Sequence, residues 1–270
     1  MGAEASAEQR LRGLNAAFSN YEEAKRLLGE AERDFIRALE GNVLQERAKA
    51  WEHLHLTQRF LHATPIYFSQ SGQDRILDFF FLGKTDGVFV DVGGYDGITG
   101  SNTLFFEIYR NWQGICIEPS LSQYRQAAGF RKARCLNTAI GSHEGSADFL
   151  EITSGYTQMS GLSATYNPAM LEVVRSNPNH RETLHAIPIR TLEDVLETEG
   201  ISAVDLISLD IEGGEIAVLE TFPFDRIRVT AWSIENMQHG ERLRDLMIGK
   251  GYQLFEIAGM DEIFVRTDAV

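Results

Sequence analysis

The chain has 270 residues, 43% of them apolar, and its 39 acidic against 25 basic side chains leave a net charge of −14. That length builds one large α/β domain with an accessory segment rather than two full domains, and so acidic a surface argues against nucleic-acid and anionic-membrane partners. Cys116 and Cys135, the only cysteines, each sit in an apolar run and build no disulfide framework; with no apolar leader or bilayer-length stretch, a cytoplasmic protein is expected.

From Ala7 to Glu40, Leu11, Leu14, Phe18, Tyr21, Leu28, Phe35 and Leu39 recur at helical spacing. Gly41-Asn42 is a helix stop, and Val43 to Ala63 restarts with Leu44, Ala48, Trp51, Leu54, Gln58 and Leu61 on one face. Residues 1–63 are therefore expected to form a helical hairpin ahead of Thr64-Pro65, with a catalytic domain over 64–270. The hairpin either covers an edge of that domain, serves as a lid, or joins two chains as a homodimer. His53, His55 and His62 read as surface or packing residues.

Ser69 to Asp74 is a polar turn, with Gln73 and Asp74 placed to cap a helix over Ile76–Leu82. Gly83-Lys84-Thr85 is no phosphate loop, because Asp78 stands where its first glycine belongs. Val88 to Val92 is an apolar run suited to the middle of a parallel sheet, and Gly93-Gly94-Tyr95-Asp96-Gly97 follows as a turn. Thr99, Ser101 and Asn102 then cap a helix through Leu104-Phe105-Phe106. A dinucleotide site needs its second glycine where Tyr95 stands, so a pyrophosphate is disfavoured. Carboxylates at Asp91 and Asp96 suit a ligand rich in donors, such as S-adenosylmethionine with its sulfonium, ammonium and ribose diol.

Gly114 to Glu118 is the next strand, ending in a carboxylate able to hold both ribose hydroxyls, ahead of Pro119. Ser122 to Arg131 reads as a helix and Ala133 to Ile140 as a third strand, whose end at Thr138 and Ala139 borders an adenine. Ala147 to Ile152 is expected to pair with it through the Gly141–Gly145 turn. Thr153 to His185 reads as an irregular loop for acceptor selection, with Tyr156, Met159 and Tyr166 as contacts.

Ile187 to Ile189 is a short strand, and Thr191 caps a helix over Leu192–Thr198. Val204 to Asp210 repeats the pattern of apolar strand, carboxylate and glycine turn, which places Asp210 beside the first strand at the switch point of a doubly wound sheet. Val229 to Asn236 is another buried strand whose end brings Glu235 and Asn236 toward Asp210, with His239 just beyond. Gln253 to Ile257 and Glu262 to Arg266 form a closing antiparallel hairpin through Gly259-Met260-Asp261. Glu212 and Glu215 read as capping residues of the helix after Gly214.

In order and spacing, Ser71-Gly72-Gln73-Asp74, Phe89 to Gly97, Ser101-Asn102-Thr103, Gly114 to Pro119, Ala139-Ile140-Gly141 and Leu209 to Gly213 resemble the FkbM-type methyltransferases. The resemblance implies an α/β fold of the class I methyltransferase type, a Rossmann-like doubly wound sheet, mostly parallel, with a C-terminal antiparallel hairpin. It implies S-adenosylmethionine-dependent methyl transfer, typically to oxygen of a small-molecule acceptor such as a natural product, sugar or lipid-linked group, and puts Gln73 and Asp74 near the cofactor's methionine end. The cofactor-binding set is then Gln73, Asp74, Asp91, Gly93, Tyr95, Asp96, Ser101, Asn102, Glu118, Pro119, Thr138, Ala139 and Asp210.

Methyl transfer is an in-line displacement, and the protein's main task is positioning. A hydroxyl acceptor must also lose a proton, for which Asp210, Glu235 and His239 are the candidates. A second route is a divalent cation such as magnesium held by Asp210, Glu235 and Asn236. Three other readings share the sheet: N-methylation on the same cofactor site, an NAD-dependent oxidoreductase, and a non-catalytic interaction module. Tyr95, and the lack of a Tyr-x-x-x-Lys in the expected helix, argue against the oxidoreductase.

Overall fold

The first apolar run forms β1 (Val88–Val92), an interior strand of the main sheet, with Phe89, Val90 and Val92 buried. Parallel strands flank it, β2 (Gln113–Ile117) on one side and β8 (Ala203–Leu209) on the other. β3 (Arg134–Leu136) extends the sheet beyond β2, and β9 (Arg228–Glu235) extends it beyond β8. The closing hairpin is β10 (Tyr252–Ala258) and β11 (Asp261–Arg266), and β11 inserts antiparallel between β9 and β10. The order β10-β11-β9-β8-β1-β2-β3 is the doubly wound, mostly parallel arrangement expected from the sequence.

This computed structural model describes residues 23–24, 26–61, 67–236 and 240–269. Two units divide between Ile66 and Tyr67. In the smaller one, residues 26–38 are helical (α1) and α2 spans Leu44–Leu61. Within it the Gln58 amide donates to Glu32 at 2.5 Å, and the Phe35 and His53 rings meet edge-on at 5.3 Å. His62 lies outside the described residues. Among the described residues, no helix is long and apolar enough to cross a membrane.

The larger unit begins with α3 (Gln73–Phe80); α4 (Leu104–Tyr109), α5 (Leu121–Phe130), α7 (Leu192–Thr198), α8 (Glu215–Thr221) and α9 (Glu241–Gly249) connect the strands. Val90, Val92, Ile115, Ile117, Ile207 and Leu209 of the sheet pack with Val195, Leu196, Leu219 and Trp232 into one core. Trp232 is fully buried, with Phe222 edge-on at 5.1 Å. Each such large side chain contributes ~1.5–3 kcal/mol by leaving water.

Two expectations fail on the β2 side. The third strand over 133–140 is broken in two, because the Asn137 side chain donates to the carbonyls of Glu118 and Pro119, at 2.9 Å each, and turns the chain outward. Only Arg134–Leu136 pairs with β2; β4 (Ala139–Ile140) pairs with Ile189 and Arg190 of β7 (Arg181–Arg190) instead. The strand over 147–152, here β5 (Gly145–Ser154), pairs antiparallel with β7 rather than with β4. The second sheet runs β4-β7-β5-β6, with β6 at Gly161–Leu162. The stretch read as an irregular loop is therefore ordered: it also holds a 3-10 turn (Thr157–Met159) and α6 (Pro168–Ser176), capped by Asn167. The short strand expected at Ile187–Ile189 is the end of β7, whose first part carries no signal because residues 181–184 are exposed and show little apolar alternation.

Strand register then sets the site. Val92 lies opposite Ile117 and Leu209, and Leu209 lies opposite Ile234. The next residues, Gly93, Glu118, Asp210 and Glu235, consequently form one row along the carboxyl edge of four parallel strands.

Candidate active site

A cleft opens above Gly93, Glu118 and Asp210 of that row, lined by the turns after β1, β2 and β8 and by β4, β5 and β6 of the second sheet. The turn after β1 is held by its backbone: the N–H groups of Gly93 and Gly94 both donate to the Ile117 carbonyl, at 2.9 and 3.2 Å. Gly93 has φ of +81°, and a Cβ there would stand 1.8 Å from the Asp210 carbonyl oxygen. The glycine is thus required by the close approach of two strand ends.

Glu118 faces the cleft from the tip of β2. Its Oε2 accepts from Tyr95 N at 2.9 Å and its Oε1 from Ser120 N at 2.7 Å, which fixes the carboxylate and leaves each oxygen a further lone pair. Burial pushes its proton affinity up to about 8, against the pull of those two backbone donors. Tyr95 itself sits in left-handed backbone at φ +48°, and its hydroxyl meets Thr157 Oγ1 at 2.7 Å. The glycine turn is thereby clasped to the 3-10 turn of the inserted sheet.

Asp91 lies beneath the turn. It accepts from Thr103 Oγ1 at 2.5 Å and Ser101 Oγ at 3.3 Å, and faces Arg131 Nη1 at 3.5 Å. Hydroxyls and a guanidinium are therefore its partners. Arg131 is fully buried; it also bonds Glu107 at 3.0 Å and the Gly97 carbonyl at 3.1 Å, riveting the loop to the sheet. Asn102 donates from its amide to Ser208 Oγ at 3.0 Å and Asp261 Oδ2 at 3.1 Å, while its Oδ1 is buried without a partner.

Beside the wall that Asp210 and Glu212 give the cleft lies an acidic cluster. Oxygens of Asp210, Glu215 and Glu235 lie within 4.8 Å of one another. Burial first, then repulsion from its neighbours, drives Asp210 well above the usual carboxylate range and pushes Glu235 to about 9. Glu212, in left-handed backbone at φ +59°, is likewise pushed to about 9 by burial and by Asp210.

A family model, the methyltransferase FkbM domain, matches residues 91–254. The chain belongs to this family. FkbM methyltransferases use S-adenosylmethionine, and the strand order above is that of the class I methyltransferase fold. The chain is similar to the solved structure of methyltransferase FkbM from Methylobacillus flagellatus KT, at 14% identity and a TM-score of 0.43, covering 87% of this chain and 58% of that one. It is similar to the N-terminal domain of human METTL16 at 12% identity and a TM-score of 0.41, covering 81% and 80%. It is also similar to TrmK of M. capricolum in complex with S-adenosyl-homocysteine, at 10% identity and a TM-score of 0.35, covering 71% and 66%. The chain spans 58% of the length of the first of these. No curated protein matches its sequence.

Of the residues the sequence assigned to the cofactor, this FkbM-family cleft is lined by Asp91, Gly93, Tyr95, Ser101, Asn102, Glu118, Pro119, Thr138, Ala139 and Asp210. Three lie elsewhere. Gln73 is turned to Ser71 N and the Ala258 carbonyl, at 2.8 and 3.5 Å. Asp74 is consumed by Phe68 N, Ser69 N, Ser69 Oγ and Arg75 N, all within 3.2 Å. Asp96 caps its own turn through Ile98 N, Thr99 N and Thr99 Oγ1 at 2.7–2.8 Å.

Asn236 does not join Asp210 and Glu235. Its amide donates to the Gly240 carbonyl and to Glu262, and its Oδ1 accepts from Gly240 N. Glu215 is the third member of that cluster; its Oε1 also caps the turn as expected, accepting from Ile211 N at 3.0 Å and Gly213 N at 3.2 Å. Glu212 departs from its expected capping role and lines the cleft. His239 lies outside the described residues. Tyr166 donates to the Met159 carbonyl at 2.5 Å and is absent from the cleft wall.

Proposed function

We propose that this FkbM-family chain methylates a hydroxyl oxygen of a small-molecule acceptor, a sugar, natural product or lipid-linked alcohol. The observation that carries the reading is the row of Gly93, Glu118, Asp210 and Glu235 along one strand edge, because it separates a donor-binding half from a proton-accepting half.

The donor half fits S-adenosylmethionine, which when bound supplies a methyl group on an electrophilic sulfonium. Glu118 has free lone pairs for a ribose diol, and the bare Oδ1 of Asn102 suits an ammonium. Ile140, Phe149 and Leu162 give the cleft the apolar wall an adenine needs, beside Thr138 and Ala139.

The acceptor half favours oxygen over nitrogen. A neutral amine attacks with its lone pair and requires no base before transfer; an alcohol gives up a proton, and Asp210 and Glu235 are carboxylates of raised proton affinity that take it once they are ionised, toward alkaline pH or beside a cation. The net charge of −14 speaks for a small uncharged or cationic acceptor over a nucleic acid.

Incubating the full chain with methyl-labelled cofactor and a small-molecule extract tests the reading. Label recovered in methyl ethers supports it; label confined to amines, or none despite cofactor binding, rejects it.

A further inference from the structure

The acidic cluster beside the cleft draws its carboxylates from three elements: Asp210 follows β8, Glu215 opens α8 and Glu235 ends β9. Two oxygens on one ion lie no further apart than twice the metal–oxygen bond, about 4.2 Å for magnesium and about 5 Å for calcium. The 4.8 Å within which these three fall is a span that one hard cation bridges. Glu215 meets its backbone donors with Oε1 alone, so its Oε2 is available.

A second observation does not depend on that spacing. Glu212 is 8% exposed and lines the same cleft, yet its Oε2 has no hydrogen-bond partner. A buried carboxylate oxygen left bare is costly unless a cation or donor reaches it. Its charge acts on the same point, since Asp210 and Glu215 repel Glu212 while Glu212 repels Glu235.

We propose that Asp210, Glu215 and Glu235 form a site for one divalent cation beside the cleft, with Glu212 and its unpartnered Oε2 adding negative charge next to it. All-oxygen donors of this kind select hard ions of the magnesium, manganese and calcium class. The ion offsets the mutual repulsion of the four carboxylates and keeps a coordination position for an acceptor oxygen. That last use rests on the hydroxyl-acceptor reading above, whereas the binding of the ion does not.

Titrating the metal-stripped full chain with Mn²⁺, with free Mn²⁺ followed by electron paramagnetic resonance, tests the site with and without S-adenosylhomocysteine. One Mn²⁺ per chain is expected, bound at least ~10-fold more weakly in Glu235→Gln and in Glu212→Gln. Asp148→Asn, at an exposed position of β5, leaves binding unchanged. A rise in unfolding temperature with Mn²⁺ in the wild type, absent in Glu235→Gln, is the second readout. No bound Mn²⁺ at millimolar concentration, or equal binding in Glu235→Gln and wild type, overturns the proposal, leaving protons or a substrate ammonium to balance the charge. Mn²⁺ binding without homocysteine binding sinks the cofactor reading alone, and the reverse result sinks the cation site alone.

Discussion

A β-carbon on Gly93 would lie 1.8 Å from the carbonyl oxygen of Asp210, so the tips of β1 and β8 touch where a side chain would otherwise stand. This contact sets the width of the cleft. Gly93→Ala meets both the collision and the left-handed backbone at φ +81°. We expect a loss of at least ~2 kcal/mol in urea unfolding, with cofactor-product binding falling in parallel. Unchanged stability and binding would show that the strand ends separate freely.

Arg131 carries a prediction of larger size. Replacing it by Met leaves Asp91 and Glu107 buried, 4% and 7% exposed, without their cation. Breaking a buried ion network from one side costs ~3–5 kcal/mol. Chemical denaturation of Arg131→Met checks this, and adding Asp91→Asn to that variant should recover part of the loss. A double variant no better than the single one contradicts the pairing.

The buried carboxyls make stability depend on pH in a definite direction. Glu118 is raised from 4.5 to about 8, and Glu212 and Glu235 from 4.5 to about 9, with burial the first cause in each. Their folded-state values exceed the unfolded one, so the folded chain holds extra protons between them. The contribution is complete below about 4.5 and is lost as pH rises through 8 to 9. The metal-free, cofactor-free chain should therefore melt at progressively lower temperature from pH 6 to pH 9.5, and Glu212→Gln should flatten that slope. A melting temperature that rises over this interval contradicts the burial of these groups.

Tyr95 and Thr157 test whether the inserted sheet helps retain the cofactor. Their hydroxyls are 2.7 Å apart, and Tyr95→Phe removes that bond without altering the backbone donor to Glu118. One neutral hydrogen bond is worth ~1 kcal/mol, so we expect ~3–10-fold faster release of S-adenosylhomocysteine in stopped flow, with little change in association. Slower association with unaltered release would assign the clasp to entry instead.

The main sheet was legible because strand-end glycines and carboxylates recur at Gly93, Glu118 and Asp210, each directly after an apolar run. Long-range partners were not. Nothing local shows that Arg131, after an ordinary helix, turns inward to Asp91, or that the Asn137 side chain reaches the carbonyls before β3 and diverts the strand. Exposed β7 hides its pairing with β5, although Asn167-Pro168 was a readable start signal for α6. In the site, the same lack of depth perception sent Asp74 and Asp96 to the cofactor, when local backbone N–H groups consume both. It also chose Asn236 for a cluster that Glu215 completes from the next helix.

The central claim is that Glu118, at the tip of the strand beside the glycine turn, grips the ribose of an adenosyl cofactor. Isothermal titration of the full chain with S-adenosylhomocysteine, wild type against Glu118→Gln, is its most direct test. Loss of a carboxyl whose two oxygens can hold both ribose hydroxyls is expected to weaken binding at least ~10-fold, with NADH giving no heat in either protein. Equal affinity in the two proteins, or binding of NADH in place of the homocysteine, would contradict it.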